Sequence, residues 1–525
     1  MPGSTVSSPS TDLTAFDAAY AALMSRGPGR MVPDVSRITA LTELLGDPHL
    51  AFPTVHVTGT NGKGSVVRMV GALCSAAGLS AGTYTSPHLQ TVRERMSLAG
   101  RHISPTRFAE VYAEVTALAD LLDERARETD GDDADLITYF EFLTAMAFAW
   151  FADAPVDVGI IEVGMGGRWD ATNVVRGDVA VLNEIDIDHS ELGSTAEEIA
   201  GEKVGIIKPG AQVVTAEQSP EVLDIIEDAV AEAGATLWRL GDHLDVMDQR
   251  TAVGGQLISL RVGERTIDDI LLPLHGEHQA RNAALALGAF AALTGQSFDM
   301  MDDDVVRHGL SAVVVPGRLE VVRREPTVVL DGAHNPHGAA AAAAAMTGAF
   351  GFGELILVAA CLDDKDIPGI LGALQSTASH VIVTQAPSPR AAPLSRMYDA
   401  AIETWQGTGI AVEAADDLTT ALEMAESMAR EGDGVLVAGS LHTVGAARDR
   451  YLPLTDLDEL GSDDDVVWEP GDDDDDLHPD DEDAEFTAQL AEELDSDERF
   501  EAALNDLLDG ELGERGPDID GPDRD

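Results

Sequence analysis

Residues 58–65 read Thr-Gly-Thr-Asn-Gly-Lys-Gly-Ser; the apolar run Thr54-Val55-His56-Val57 precedes them and Val66-Val67-Arg68-Met69-Val70 follows. A strand pattern, a glycine-rich turn and a helix pattern in direct succession restrict the chain to an α/β fold with a mainly parallel sheet. The glycines let backbone N–H groups close around phosphate oxygens, and the helix N-terminus adds partial positive charge. The alternative is a glycine-rich turn that only connects two elements. On the nucleoside triphosphate reading, Lys63 offsets phosphate charge and the Ser65 hydroxyl reaches Mg²⁺. The spacing departs from the usual G-x-x-x-x-G-K-[ST], because Gly64 stands between the lysine and the serine.

A length of 525 residues, 44% of them apolar, predicts two or three domains with substantial cores. The formal charge of −61 is uneven: residues 456–525 carry 31 acidic and 3 basic side chains. Even the remaining body is strongly acidic, which excludes nucleic-acid binding through a broad phosphate-neutralising surface. Cys74 and Cys361 sit in neither metal-ligand nor CxxC spacing, as expected for a reducing compartment. No basic-then-apolar leader opens the chain, and no apolar run approaches the ~18 residues of a membrane span. The expectation is a cytoplasmic protein that binds neither membrane nor nucleic acid.

Strand-like runs are expected at 54–58, 81–85, 156–161, 178–183 and 211–215, with helices at 64–77, 105–127, 137–151, 219–234 and 278–294. The acidic patch 130–135 reads as a loop between helices, and 241–273 reads as a small antiparallel addition. Val313-Val314-Val315-Pro316-Gly317-Arg318 marks a break. Beyond it a second alternation has strands near 327–331, 354–360, 380–384, 409–413 and 434–438, and the alanine run 338–345 is helical by propensity. After Thr455 acidic residues dominate, and the block 472–476 should stay solvated and extended. Residues 486–508 have apolar side chains at rough helical spacing. A disordered solubilising tail is the simplest reading, with a partner-binding or autoinhibitory role as the alternative.

Carboxylates at strand ends point to chemistry, because ligands of open α/β sheets bind outside the carboxyl ends of the strands. Glu162 ends one such run and leads into Gly164-Met165-Gly166-Gly167-Arg168-Trp169-Asp170, so it could hold Mg²⁺ opposite Ser65. Asp186-Ile187-Asp188-His189 ends another, and a histidine beside carboxylates can ligate a metal or be an ordinary surface residue. Lys203, among small and apolar residues, reads by spacing alone as a structural lysine. Asp331 and His334 in Asp331-Gly332-Ala333-His334-Asn335-Pro336, Arg318 at the break, and Asn282 are polar groups near the presumed cleft.

Together these segments resemble the folylpolyglutamate synthase/dihydrofolate synthase family, cousin to the Mur ligases. The matching motifs are Gly59 to Ser65, Thr85-Ser86-Pro87-His88-Leu89, Glu162 to Thr172, Asp188-His189, Glu202 to Ile206, Pro316-Gly317-Arg318 and Asp331 to Pro336. They run in order through roughly residues 35–450. The resemblance implies an N-terminal extension over 1–34 (partly helical), a P-loop ATP-binding ligase domain over 35–315 and a smaller Rossmann-like domain over 316–455, followed by the acidic low-complexity tail 456–525. It also implies an ATP-dependent ligase joining L-glutamate to dihydropteroate and to reduced folates through an acyl phosphate. A glutamylating enzyme without the dihydropteroate activity is the nearest alternative.

Site roles follow from the same resemblance, with ATP and Mg²⁺ as cofactors. Gly59, Thr60, Asn61, Gly62, Lys63, Gly64 and Ser65 would wrap phosphate, with Asn282, Arg318 and Asp331 on the nucleotide. Ser65 and Glu162 would hold one Mg²⁺ and His189 a second. Lys203 matches a carbamylated lysine, which overturns its structural reading, and His334 would act near the phosphates beside Lys63. Ser86, Pro87, His88, Arg168, Trp169 and Asp170 would face the folate. A monomer is expected. One departure is Gly439-Ser440-Leu441-His442-Thr443-Val444-Gly445, where relatives often carry tyrosine.

Overall fold

The computed structural model describes residues 9–27, 32–187, 191–295 and 301–454. The stretch 486–508 with its rough helical spacing, the acidic block 472–476 and His189 lie outside them. Eight strands form the first sheet: β1 (Thr54–Thr58), β2 (Ala81–Tyr84), β3 (Met96–Leu98), β4 (Arg101–His102), β5 (Val158–Glu162), β6 (Val179–Leu182), β7 (Gln212–Thr215) and β8 (Thr236–Arg239). Their order is β4-β3-β2-β5-β1-β6-β7-β8. From β2 to β8 all neighbours are parallel, and β3 and β4 add an antiparallel edge. Strand β1 (Thr-Val-His-Val-Thr) is buried along its whole length, as a central parallel strand covered by helices on both faces must be.

Register sets the position of the site. Val57 pairs with Glu162 and Thr58 with Leu182. The carboxyl ends of three adjacent strands, β5, β1 and β6, therefore deliver Glu162, the glycine loop and Asn183 to one edge. Strand β6 stops at Leu182, so Asp186, expected at a strand end, lies four residues into a loop.

One face of this sheet is covered by helices Lys63–Ala76, Glu277–Thr294 and Asp303–Ser311. Helices Pro105–Asp130 and Tyr139–Asp153 pack on the other with Pro9–Ser25 and Ser36–Leu44. Phe142, Phe148 and Phe151 of Tyr139–Asp153 are fully buried, each worth roughly 1.5–3 kcal/mol of burial. The N-terminal helix joins the same core through Ala19 and Leu23, and Arg26 just after it is ion-paired to Asp120 and Asp123. Helix Pro105–Asp130 consumes the start of the acidic patch; a short 3₁₀ turn, Gly131–Asp133, and the irregular stretch 134–138 complete the connection. The antiparallel addition takes the form of β9 (Leu244–Ala252), β10 (Gly255–Val262) and β11 (Arg265–Leu272), paired in the order β11-β10-β9.

A second sheet follows Pro316-Gly317: β12 (Glu320–Arg324), β13 (Thr327–Leu330), β14 (Leu355–Ala359), β15 (His380–Val383), β16 (Ala411–Ala414) and β17 (Gly434–Ala438). Its order is β12-β13-β17-β14-β15-β16, parallel except for the β12 hairpin edge. Hydrophobic clusters line both faces. The alanine run lies in helix Pro336–Ala349, with Ala339, Ala342, Ala343 and Ala345 buried. Small side chains suit that close packing.

Candidate functional site

The glycine loop is shaped by close approach. Gly59 has φ +141° and a Cβ there would stand 2.4 Å from Asn183 Cβ; Gly62, at φ +78°, would put one 2.5 Å from Asn183 Nδ2. Both positions combine a backbone conformation that favours glycine with a contact no side chain could share. Helix Lys63–Ala76 then starts with no side-chain cap, so its first amides are available to an anion. Asn183, which sequence reasoning missed, ties the loop down: its Nδ2 donates to Asn61 O and to Asn282 Oδ1, both at 3.1 Å. Its place directly after a strand at the carboxyl edge was the available signal.

Two lysines converge on one carbonyl. Lys63 Nζ donates to Gly59 O (2.9 Å) and Thr60 O (3.3 Å), and buried Lys203 Nζ donates to the same Gly59 O at 2.9 Å. Lys203 closes helix Ala196–Lys203, which is packed against the glycines after Glu162. A Cβ on Gly167 would meet Glu202 O and Lys203 O at 2.8 Å.

Glu162 is buried opposite Gly64, where a Cβ would come within 3.3 Å of Oε2, and that oxygen accepts from Ser86 N at 2.9 Å. Burial pushes its carboxyl above the ordinary range, with Lys63, the Ser86 amide, Arg318 and Arg68 opposing. A buried carboxylate beside the helix start that carries Ser65 fits a cation with oxygen ligands. Among the described residues no group of three or more His, Cys, Asp or Glu could hold a metal alone.

The second lobe meets this loop directly. Asn335 caps helix Pro336–Ala349 and donates through Nδ2 to Asn61 Oδ1 (3.1 Å), while Asn61 Nδ2 and His337 Nδ1 are 3.1 Å apart. Arg318 lies within electrostatic reach of both Glu162 and Asp331. Asp331 is committed inward: its oxygens accept from Leu319 N and Ala333 N. His334 Nδ1 lies 2.9 Å from Gly332 O. A cavity of about 460 Å³ opens beside the loop, lined by Glu184, Gln256, His275, His278, Arg281 and His337. Burial, then Arg318 and His337, pull His278 down to about 4, so it is neutral.

The residues expected to face folate separate into three settings. Ser86 adjoins Glu162 through its amide, and His88 Nδ1 accepts from Arg95 Nε at 3.0 Å, with a pKa brought down to about 4 chiefly by burial. Trp169 is 46% exposed and Arg168 is exposed beside it. Asp170 is turned inward instead: Oδ1 accepts from Thr172 N and Oγ1, and Oδ2 from Met165 N. It props the glycine turn from beneath, and Thr172 in turn bonds buried His56 at 2.8 Å.

Comparison with known proteins agrees in both lobes. Residues 57–290 match the Mur ligase middle domain and 317–441 the Mur ligase glutamate ligase domain. The chain is 43% identical over 440 residues to a dihydrofolate synthase/folylpolyglutamate synthase of Mycobacterium tuberculosis, covering 80% of this chain and 90% of that protein. The Bacillus subtilis protein of the same description is 34% identical over 442 residues, covering 83% and 99%. The solved Mycobacterium tuberculosis folylpolyglutamate synthase complexed with ADP superimposes with a TM-score of 0.79 at 41% identity, covering 84% of this chain and 99% of that one.

Proposed function

Since this chain belongs to the dihydrofolate synthase/folylpolyglutamate synthase family of the Mur ligases, we propose that it joins L-glutamate to dihydropteroate and to the γ-carboxylate of reduced folates, driven by ATP. The observation that carries this reading is the meeting of the glycine loop, Glu162, Ser86 and Lys203 at one sheet edge.

A carboxylate is a poor electrophile. Transfer of the γ-phosphoryl group to it breaks the bond to ADP and forms an acyl phosphate; the glutamate amine then attacks the acyl carbon, phosphate leaves, and the nitrogen loses a proton. The loop amides and Lys63 would hold the phosphates, with Lys63 leaving Gly59 O and Thr60 O to do so. Ser65 and Glu162 would hold Mg²⁺, which when bound draws off phosphate charge as the anionic substrate approaches. Carbamylation of Lys203, in which the ammonium sheds one proton and the free amine joins CO₂ with loss of a second, would replace an ammonium by an anionic oxygen group at the loop. The cavity bounded by His278, Arg281 and His337 would take the nucleoside, with Asn282 and Arg318 beside it. Residues 35–315 would form the ATP-binding domain and 316–455 the C-terminal ligase domain, a division supported by the break between β11 and β12.

Phosphate release from MgATP and L-glutamate tests this reading, with dihydropteroate, tetrahydrofolate or a UDP-muramoyl peptide as acceptor. Turnover with both pterins is expected. Turnover with tetrahydrofolate alone would remove the dihydropteroate activity, and turnover with the peptide alone would move the substrate to the cell-wall branch of the superfamily.

A further inference from the structure

Arg68 lies one helical turn beyond Gly64, on the helix face that Gly64 leaves bare towards Glu162. It is partly buried, and burial pulls its guanidinium below the ordinary range; Glu94 and Glu162 act on it as opposing charges, and Arg448 as a like one. Among the described residues it has neither a hydrogen bond nor an ion pair. Largely buried arginines elsewhere are paired: Arg26 with Asp120 and Asp123, Arg37 with Glu141, Arg448 with Glu320. Among the described residues Arg318, the other cleft arginine, likewise has no ion pair, though it acts electrostatically on Glu162 and Asp331.

The two acids near Arg68 are already engaged. Glu94 accepts from Leu89 N, Gln90 N and Thr91 N, which fixes the loop that follows Ser86-Pro87-His88. Glu162 accepts from Ser86 N. A second polar atom in the same cluster, His102 Nδ1, is buried without a partner, and His102 lies within electrostatic reach of Arg68 and Glu94. A desolvated guanidinium left without an anion is costly, and it favours any carboxylate that can reach it in paired geometry.

We propose that Arg68, with His102 beside it, binds a carboxylate of a substrate, either of the pterin acceptor or of free L-glutamate. The proposal rests on the ligase reading above, because it takes its ligand from that reaction. The anion would enter between the helix of the glycine loop and the segment 86–102, where it would meet the Arg68 guanidinium, whose neighbour Arg448 is already paired with Glu320.

The test is steady-state kinetics of Arg68→Met beside the wild type, varying ATP, pterin and L-glutamate in turn. We expect KM for one carboxylate substrate to rise at least about tenfold, the size of losing a charged hydrogen bond, with KM for ATP within about twofold. A rise for the pterin identifies the acceptor as the source, and a rise for L-glutamate identifies the amino acid. Unchanged KM for both, or an equal rise for ATP, overturns the proposal. Should Arg68→Met fail to fold by circular dichroism, Arg68→Gln decides by the same criteria. Failure of the ligase reading shows separately, as wild-type silence with every pterin. Arg68 is then judged by calorimetric titration with dihydropteroate and L-glutamate, where equal affinities in wild type and variant overturn it.

Discussion

At Glu162 burial opposes the negative charge that a cation-holding carboxylate needs, and the neighbouring cations compensate only in part. Glu162→Gln removes the cost of burying that charge. We expect a melting temperature equal to or above the wild type with turnover reduced about a hundredfold; unaltered dependence of turnover on Mg²⁺ concentration would remove Glu162 from the metal site. Lys203→Ala should lose turnover to a similar degree, with partial recovery on adding short carboxylic acids, and full activity in that variant would sink the carbamate assignment. His56 gives a pH prediction. Burial brings it down to about 3, so between pH 6.5 and about 3 the unfolded chain binds a proton that the folded chain refuses. Its contribution to stability is present above pH 6.5 and is lost as pH falls, by roughly 3 kcal/mol at pH 4. The stability difference between wild type and His56→Asn, measured by urea unfolding at pH 7 and pH 4.5, should shrink at the lower pH. The raised carboxyls of Glu162 and Asp331 act in the opposite sense in both proteins and cancel from that difference. Sequence spacing could show the glycines, Lys63 and Glu162, whose chemistry is local. It could not show that Asp170 and Thr172 belong with His56, since that contact spans 116 positions and exists only once β1 lies beside the turn.

Among the elements, the long buried strands were readable because apolar residues fill them and turn residues stop them. Strands β3 and β4 were not, because three and two residues are too few to show a period. Their effect is nevertheless large, since the β2–β3 connection carries Ser86 to Arg95 across to the second lobe. There Leu89 packs among side chains that include Val444. Gln90 Nε2 donates to Asp449 Oδ1 at 2.7 Å, and Arg448 bonds both Gln90 and Glu320. A Cβ on Gly445 would stand 2.2 Å from Leu89 O. Gly445→Ala should therefore push the helix Leu441–Tyr451 and this connection apart. We expect about 1–3 kcal/mol of lost stability and a rise in KM for the pterin larger than that for ATP, measured by thermal melts and kinetics. An unchanged melting temperature would show that the contact yields freely.

For the whole molecule, the order of two α/β lobes was legible from the Pro316-Gly317 break, but their mutual contacts were not, because each is made by single polar residues far apart in sequence. Relatives' solved structures match about 84% of this chain while covering nearly all of their own, and the family model for the second lobe ends at residue 441. Removing 456–525 should leave kcat and each KM within about twofold, and a larger loss in the phosphate-release assay would give that segment a part in catalysis. The bonds from Asn61 to Asn335 and His337 reach further. One asparagine belongs both to the glycine loop and to the seam between lobes, so if that loop holds the phosphates, as proposed, its occupancy and the approach of the lobes form a single thermodynamic cycle. Whatever loosens the seam must weaken nucleotide binding by the same factor that nucleotide tightens the seam, and Asn335→Ala would expose that reciprocity as a loss of ADP affinity from a residue outside the loop.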